Sequence, residues 1–374
     1  MPRFLLYFFL IYGGMHAVLW LRFRPLLPAG RAFNLWLALF FLAMILSPVA
    51  SRLIERGHGP QWAAALFAWV GYCWMGLAGL GFGNALISWL IQGLAWLASR
   101  LGWLAAPAGL GRALAWLALL AAVLTAGYGV IEARSLTLER LTLTSSKLPP
   151  ERPRLVIAQV SDVHLGLIHG QGSLRRIVER IEAERPDLVV STGDLVDGNL
   201  FLEDGLYKLW AGLQPPLGKY AITGNHELYA GLDQAIAFLE RAGFTVLRNQ
   251  AVDVAGALRV AGVDDPVIPG PPPDEAAILG SGPPGLFTLL LKHRPTVEPQ
   301  SLGLFDLQLS GHTHRGQVYP FNYLTGAIYP MQEGLHRLAR GSALYTNRGT
   351  GTWGPPMRVA APPEVTIIEI VRAP

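Results

Sequence analysis

The residues of this 374-residue chain that are best suited to chemistry are histidines and acids in five short clusters. The clusters are Asp162-Val163-His164, Gly193-Asp194, Gly224-Asn225-His226-Glu227, Lys292-His293 and Gly311-His312-Thr313-His314. They hold five of the nine histidines, although a soluble core does not require histidine at such positions. Because the clusters lie far apart in the sequence, only a folded domain can bring them together into one site.

The side chains of these clusters are typical metal ligands. Imidazole and carboxylate together suit Mn, Fe, Zn or Ni. The chain has one cysteine, Cys73, so a disulfide within the chain and a thiolate zinc cage are both excluded. Asp-x-His and His-x-His place two ligands on the same side of an extended turn. A glycine before Asp194, Asn225 and His312 lets the backbone approach the site, because no Cβ is in the way.

Apolar strands must position these clusters. Four segments each run from an apolar stretch into a polar turn: LVIAQVSD (155–162), DLVVSTGD (187–194), KYAITGNHE (219–227) and FDLQLSGHTH (305–314). Helical periodicity lies between them at 173–186 and 232–243, and an alternating strand follows at 364–370. The pattern predicts an α/β fold whose strand ends converge on one site.

The first 133 residues have a different composition. They hold nine of the eleven tryptophans and no lysine, and their only acids are Glu55 and Glu132. A helix of about 20 apolar residues crosses the core of a bilayer. Four stretches have this character: 4–21, 33–50, 62–82 and 113–131. A fifth, 84–98, is shorter and contains Gln92, so it is either a short span or an interfacial helix.

These patterns predict a transmembrane helical domain of four or five spans at 1–133, a linker at 134–153 and an α/β domain at 154–374. Arginines in the short loops favour, by five to three, an α/β domain outside the cytoplasm in a protein of the inner cell membrane. Including the three cations that follow the last span reverses the balance to six against five. We expect no nucleic-acid partner, since the α/β half lacks a Lys/Arg cluster.

The five clusters, in this order, resemble the calcineurin-like metallophosphoesterase superfamily over residues 154–371. The longer motifs SDVHLG, TGNHELY, AGVDD, SGHTHRGQ and TNRGTGTWGPPMR resemble a membrane subgroup of the YaeI/YkuE kind. This subgroup also includes the animal "transmembrane protein with metallophosphoesterase domain". The resemblance implies two packed β-sheets flanked by helices, a four-layer αββα sandwich, after a multi-span α-helical membrane domain.

The resemblance also implies a site with two divalent metal ions, Mn being favoured over Fe, Zn or Ni. The ligands of the first ion match Asp162, His164 and His314. The ligands of the second ion match Asn225, His293 and His312, and Asp194 matches the bridge between the two. His226 matches the residue that serves as general acid and contacts phosphate.

Other residues near the motifs are assigned more loosely. Arg315, Arg348 and Lys292 are candidates for contacting a substrate phosphate, and each has an alternative as a surface or structural side chain. Lys292 stands where the resembling proteins often have alanine. Asp197 and Glu227 are expected to support the ligands or their turns.

We therefore expect a membrane-anchored phosphohydrolase in which a metal-bound hydroxide cleaves phosphoester or pyrophosphate bonds. Its expected partners are the lipid bilayer and a lipid-linked or otherwise amphiphilic substrate, since one span would suffice as an anchor. One alternative is the same hydrolase acting on soluble phosphodiesters or phosphomonoesters, with the helices as anchor only. Another is a non-enzymatic membrane scaffold that retains the metal site.

Overall fold

The computed structural model describes residues 2–57, 59–105, 108–198, 204–283 and 285–373. The chain divides into two compact units. The helical unit comprises Met1–Ile131 together with the short segment Gly354–Met357. The α/β unit comprises Glu132–Trp353 and Arg358–Pro374.

Among its described residues, the helical unit has four α-helices: α1 (Pro2–Phe23), α2 (Arg31–Arg56), α3 (Gln61–Arg100) and α4 (Leu110–Glu132). By length and composition, all four are able to cross a membrane. They are apolar on every side, as expected for helices that lipid surrounds. The chain is therefore a membrane protein with four candidate spans in its described part.

A fifth span is absent from the described residues. The stretch 84–98 continues α3 without a break, because Asn84 donates its side-chain amide to the Leu80 carbonyl at 2.9 Å and does not interrupt the helix. At 1.5 Å per residue, the 40 residues of α3 extend about 60 Å. This is about twice the thickness of a bilayer core.

Two buried polar side chains of the helical unit, His16 and Arg22, make hydrogen bonds to other helices. Trp74 donates its indole N–H to Nε2 of His16 at 2.8 Å. Arg22 donates to Oε1 of Gln92 at 2.9 Å and to the Gly111 carbonyl at 3.0 Å. Such bonds offset the cost of burying polar groups among apolar ones. His16, an unusual residue inside a span, is thus accounted for by a hydrogen bond.

Where the structure describes it, the α/β unit has twelve strands and six α-helices. The strands are β1 (Thr137–Ser145), β2 (Arg154–Val160), β3 (Leu188–Ser191), β4 (Lys219–Ala221), β5 (Phe244–Val246), β6 (Gln250–Val254), β7 (Leu258–Gly262), β8 (Phe287–Leu291), β9 (Leu307–Ser310), β10 (Gly334–Arg337), β11 (Ala343–Thr346) and β12 (Glu364–Arg372). The helices are α5 (Gln171–Ala183), α6 (Asp204–Gly212), α7 (Asn225–Ala230), α8 (Leu232–Arg241), α9 (Glu275–Gly280) and α10 (Phe321–Ile328).

The strands form two six-stranded mixed sheets. The first has the order β1-β12-β2-β3-β4-β5 and the second β10-β11-β9-β8-β7-β6. Strands β2 to β5 are parallel, as are β7, β8 and β9. Parallel strands need crossover connections, which the helices supply. The carboxyl ends of these strands therefore meet at one edge of each sheet.

Successive side chains along a strand point to opposite faces of its sheet, and each face packs against a different layer. In β2, Leu155 and Ile157 point into an apolar core shared by both sheets, whereas Val156 and Val160 point into a second core beneath the helices. Strands buried on both faces read as continuous apolar runs, as this one does. Leu279 of α9 belongs to a third core, on the outer face of the second sheet. The predicted four-layer arrangement is confirmed.

The segment 134–153, predicted as a linker, is partly built into the fold. Its strand-like stretch forms β1, which pairs in parallel with β12 along all nine residues. Strand β1 is thus an edge strand of the first sheet. Arg348 joins the two strands, since its guanidinium lies 2.5 Å from Glu139 of β1 and 2.5 Å from Glu364 of β12. Only residues 133–136 connect α4 to β1.

Arg348→Met should destabilise the α/β unit, because Glu364 is 1% exposed and loses its cationic partner. Removing one partner of a buried pair costs about 3–5 kcal/mol. Arg140→Met, in β1, is a matched control, because Arg140 pairs with Glu184 at the surface, where such pairs contribute about 0–1 kcal/mol. Denaturant unfolding of both variants, followed by fluorescence, checks this. Equal losses would contradict the assignment of Arg348.

Candidate metal centre

All five clusters meet at the carboxyl ends of the parallel strands. Asp162 and His164 follow β2, Asp194 follows β3, and His293 follows β8. His312 follows β9. In the described part of the chain, three groups of side chains have ligand atoms within 4.8 Å of one another. They are Asp162/His164/His314, His164/Asp194/His226 and Asp194/His293/His312.

The first group brings together the residues predicted for the first metal ion. Nε2 of His164 lies 3.1 Å from Nε2 of His314, and the latter lies 3.4 Å from Oδ1 of Asp162. Nδ1 of His164 is buried and has no hydrogen-bond partner. Two imidazoles and a carboxylate thus face one another, and one ring nitrogen of His164 has no partner. These groups form a donor set suited to a cation.

The residues predicted for the second metal ion surround His293. Its Nε2 lies 3.2 Å from Oδ2 of Asp194, 3.3 Å from Oδ1 of Asn225 and 3.1 Å from Nδ1 of His312. Its Nδ1 lies 2.8 Å from the Thr192 carbonyl. A carbonyl only accepts, so Nδ1 donates, and the neutral ring directs the lone pair of Nε2 at the other ligands.

A lone pair facing carboxylate and amide oxygens is favourable only when a positive charge lies between them. Burial lowers the pKa of His293, but the charge and hydrogen bond of Asp194, together with the charges of Asp162 and Asp265, outweigh burial and raise the pKa to about 10, so that a proton would take this place. A divalent cation supplies more charge to the same donors and displaces the proton. The residues present therefore fit a metal ion.

Two further imidazoles are in the form that binds metals. Burial and the charge on His226 lower the pKa of His164 to about 3. Burial and the charge on His293 lower the pKa of His312 to about 4. Both rings are neutral at physiological pH, so their lone pairs are available as ligands.

The backbone at the site is strained. Five of the seven predicted metal ligands have a positive φ: Asp162 (53°), His164 (52°), Asp194 (54°), His312 (71°) and His314 (47°). This left-handed conformation costs about 1–3 kcal/mol for a residue other than glycine. Such outliers persist only where surrounding bonds impose them, and here they aim five side chains at a common point.

One glycine permits a close approach between two clusters. A Cβ on Gly193 would lie 2.7 Å from the Gly224 nitrogen and 2.8 Å from Nδ1 of His293, and its φ is +94°. Both the space and the backbone therefore require glycine before Asp194. The expectation from the sequence that this glycine allows close backbone approach is confirmed.

Glu227 fastens two of the turns together. Its fully buried carboxylate accepts hydrogen bonds from the backbone N–H groups of Asp194 (2.9 Å), Leu195 (2.8 Å), Val196 (3.3 Å) and Gly224 (2.7 Å). It thus holds the turn after β3 against the turn after β4. As the sequence indicated, Glu227 supports the ligand turns.

His226 lies beside the ligands and has a carboxylate partner of its own. Its Nδ1 lies 2.6 Å from Oδ1 of Asp197, and its ring centroid lies 4.6 Å from that of His164. Burial lowers its pKa, but the Asp194 charge and the bond to Asp197 outweigh this and raise it to about 9. The arrangement orients the ring and favours its protonated form, which can donate a proton.

The three residues predicted to contact substrate are differently placed. Lys292 is 7% exposed and its ammonium pairs with the buried Glu275, so the structure gives it a structural partner. Arg348 bridges strands as described above. Arg315 follows His314 directly and is one-third exposed, with Nε 2.8 Å from Glu333. Of the three, Arg315 alone combines exposure with a place beside the ligands.

Arg358 was not singled out from the sequence. It is fully buried, its Nη2 lies 3.0 Å from Nδ1 of His314, and its Nη1 donates to the Arg348 carbonyl at 2.7 Å and the Ala361 carbonyl at 3.0 Å. It therefore orients a ligand and ties down the loop before β12. The motif TNRGTGTWGPPMR contains it, but no spacing rule marks a buried arginine.

Comparison with known proteins agrees with the geometry. The family described as calcineurin-like phosphoesterase matches residues 155–316. An uncharacterized metallophosphoesterase of Aquifex aeolicus is 39% identical over 261 residues, which cover 67% of this chain and 98% of that protein. The uncharacterized metallophosphoesterase YkuE of Bacillus subtilis is 33% identical over 272 residues, 67% of this chain and 93% of that protein.

A vertebrate relative shares part of its length. The transmembrane protein with metallophosphoesterase domain of Danio rerio is 32% identical over 272 residues, which cover 68% of this chain and 62% of that protein. The resemblance inferred from the five clusters is thereby confirmed. With a relative matched over nearly its whole length, and with the strand ends and ligand groups described above, this chain belongs to the calcineurin-like phosphoesterase family.

Proposed function

We propose that this protein is a membrane-anchored phosphohydrolase that cleaves phosphoester or phosphoanhydride bonds with two divalent cations. The observation that supports this most strongly is the position of Asp194, which belongs to two of the three ligand groups. A carboxylate shared between groups suits a bridge between two cations. Mn is the preferred ion of the proposal, because carboxylate and amide oxygens stand beside the imidazoles and no thiolate does.

The cations would be held by Asp162, His164 and His314 on one side and by Asn225, His293 and His312 on the other, with Asp194 between them. When bound, two such ions neutralise phosphoryl oxygens and activate water for attack. Glu227 and Arg358 keep the ligand turns in place, and Arg315 is proposed to contact the substrate phosphate.

His226 is the proposed proton donor. The carboxylate of Asp197 holds Nδ1 and so fixes the ring, which leaves Nε2 for the oxygen of the leaving group. A proton delivered to that oxygen offsets the negative charge that develops as the bond to phosphorus breaks. The same imidazolium can contact phosphate before the reaction.

Asp194→Asn tests the dinuclear site. It keeps the shape of the side chain and removes the charge between two cations, so metal content and phosphate release should fall together. We expect activity to fall by about a hundredfold or more, about 3 kcal/mol in barrier. Asp233→Asn, at an exposed position in α8, is the control and should change neither. An Asp194→Asn protein with full metal content and most of its activity would contradict the dinuclear site.

His226→Gln should separate chemistry from metal binding. The metal ligands are kept, so two ions should still bind, whereas turnover falls because the leaving group loses its proton donor. The loss should be smallest for nitrophenyl esters, whose leaving groups need little protonation. Turnover of phosphoesters with acidic and basic leaving groups measures this. Equal losses across both would assign His226 to phosphate contact instead.

The substrate is proposed to be amphiphilic, with its phosphate at headgroup depth and its chains in lipid. Support comes from four candidate spans where one would anchor the protein, and from the short connection, residues 133–136, between α4 and β1. Purified protein in mixed micelles should hydrolyse a long-chain phosphoester faster than its short-chain analogue with the same headgroup. Equal rates would favour soluble phosphoesters, with the helices as anchor only.

The α/β unit is proposed to face away from the cytoplasm. With four spans, Arg3, Arg52 and Arg56 share its side, whereas the opposite loops carry five arginines, and short basic loops stay inside. In a Cys73→Ala background, Glu240→Cys in intact cells should react with a membrane-impermeant maleimide. Labelling only after the membrane is broken would place the unit in the cytoplasm.

A further inference from the structure

Apolar side chains are concentrated on one part of the α/β unit. Among its described residues, eight large hydrophobic side chains are exposed, and five of them lie within residues 319–328. These five are Tyr319, Phe321, Tyr323, Leu324 and Ile328. The last three are 68%, 62% and 64% exposed. Exposed apolar residues scattered singly need no explanation, whereas a cluster marks an interaction surface.

The helix at the centre of this cluster has its polarity reversed. In α10, the half-buried positions are Asn322, Thr325 and Gly326, whereas Phe321, Leu324 and Ile328 are exposed. A helix on a soluble protein buries its apolar stripe and exposes its polar one. Here the spacing i, i+3, i+7 is present, but that face points away from the protein.

The orientation of α10 is fixed by its polar side. The backbone carbonyl of Asn322 accepts a hydrogen bond from Nε2 of Gln332 at 3.1 Å, and Oγ1 of Thr313 donates to the Gln332 carbonyl at 2.7 Å. A Cβ on Gly316 would meet the backbone of Asn322, so the helix start packs closely on the turn after the ligands. These contacts hold α10 in a defined orientation, with its apolar face pointing outward.

This apolar surface borders the candidate metal centre. The ring centroid of Tyr329, the residue after α10, lies 5.3 Å from that of His312. Two exposed aromatic residues, Tyr229 and Trp353, have ring centroids 5.3 Å and 6.0 Å from that of His226. Seven of the eight exposed hydrophobic side chains thus lie in segments next to the ligands.

We infer that the outward face of α10 docks on the surface of the lipid bilayer and inserts its apolar side chains at headgroup depth. The same chain carries four candidate membrane spans, and four residues separate the last of them from β1. The α/β unit that carries this surface is thus tethered by a short connection to the candidate spans. Tyrosines at the edge of an apolar face are typical of membrane interfaces.

Charge is consistent with this occupant. Helix α10 has no charged residue, and residues 315–341 around it carry Arg315, Arg337 and Arg340 against the single acid Glu333. Basic residues beside an apolar face are attracted to anionic lipid headgroups. A second copy of the chain fits less well, because a helix of eight residues is about 12 Å long. Stable protein interfaces bury about 800 Å² on each partner.

Site-directed fluorescence in proteoliposomes tests this docking without any hydrolysis, so its outcome is independent of the proposed substrate. In a full-length Cys73→Ala background, Leu324→Cys and Ile328→Cys carry an environment-sensitive fluorophore on the apolar face. Glu240→Cys is the control, since it is exposed in the last turn of α8, at the sheet edge opposite the ligands. The vesicles contain phosphatidylcholine and phosphatidylglycerol, with or without a lipid quencher placed near the headgroups.

We expect the quencher to lower the fluorescence at positions 324 and 328 by about twofold or more, the response of side chains inserted a few ångströms into the interface. The emission of both labels should also shift to the blue, and the label at position 240 should do neither. Labels at 324 and 328 that behave like the control would overturn the inference. A blue shift without quenching would overturn it as well, since a protein surface would then cover the face.

Discussion

The site is organised by lone pairs that face one another. Among the residues predicted for the second metal ion, His293 donates through Nδ1 to a backbone carbonyl. Its Nε2 therefore faces Oδ2 of Asp194 at 3.2 Å and Oδ1 of Asn225 at 3.3 Å. A buried arrangement of this kind is unfavourable until positive charge enters it. Protons can supply part of that charge and divalent cations supply more. The donors therefore fit metal ions better than they fit one another.

The rest of the α/β unit can be understood as the scaffold that enforces this arrangement. Parallel strands in both sheets deliver the clusters to one edge, and left-handed backbone at five ligands turns the side chains inward. Glu227 joins the turns after β3 and β4, and Arg358 orients the ring of His314 through its Nδ1. Strain at the ligands is offset by these buried charge-assisted bonds, which is how functional sites retain unfavourable conformations.

The apolar strands and the polar turns after them predict an α/β fold with one shared site, and the family resemblance of the same motifs implies the ligand set and the layer order. The sequence predicts a separate short span or interfacial helix at 84–98, whereas this stretch continues α3, in which the Asn84 amide bonds to the Leu80 carbonyl. Arg348 and Lys292 looked available for phosphate, and only the fold reveals their carboxylate partners. The outward apolar face of α10 could not be predicted either. Periodicity in the sequence shows that a helix has an apolar face, but it does not show whether that face points into the protein or away from it.

The metal content of the purified protein, measured together with phosphate release, tests the central claim most directly. We expect about two equivalents of divalent metal per chain, loss of hydrolysis on chelation, and recovery when Mn is returned, because ligands that repel one another need both ions. Full phosphoester hydrolysis by a chain that holds only traces of metal would contradict it.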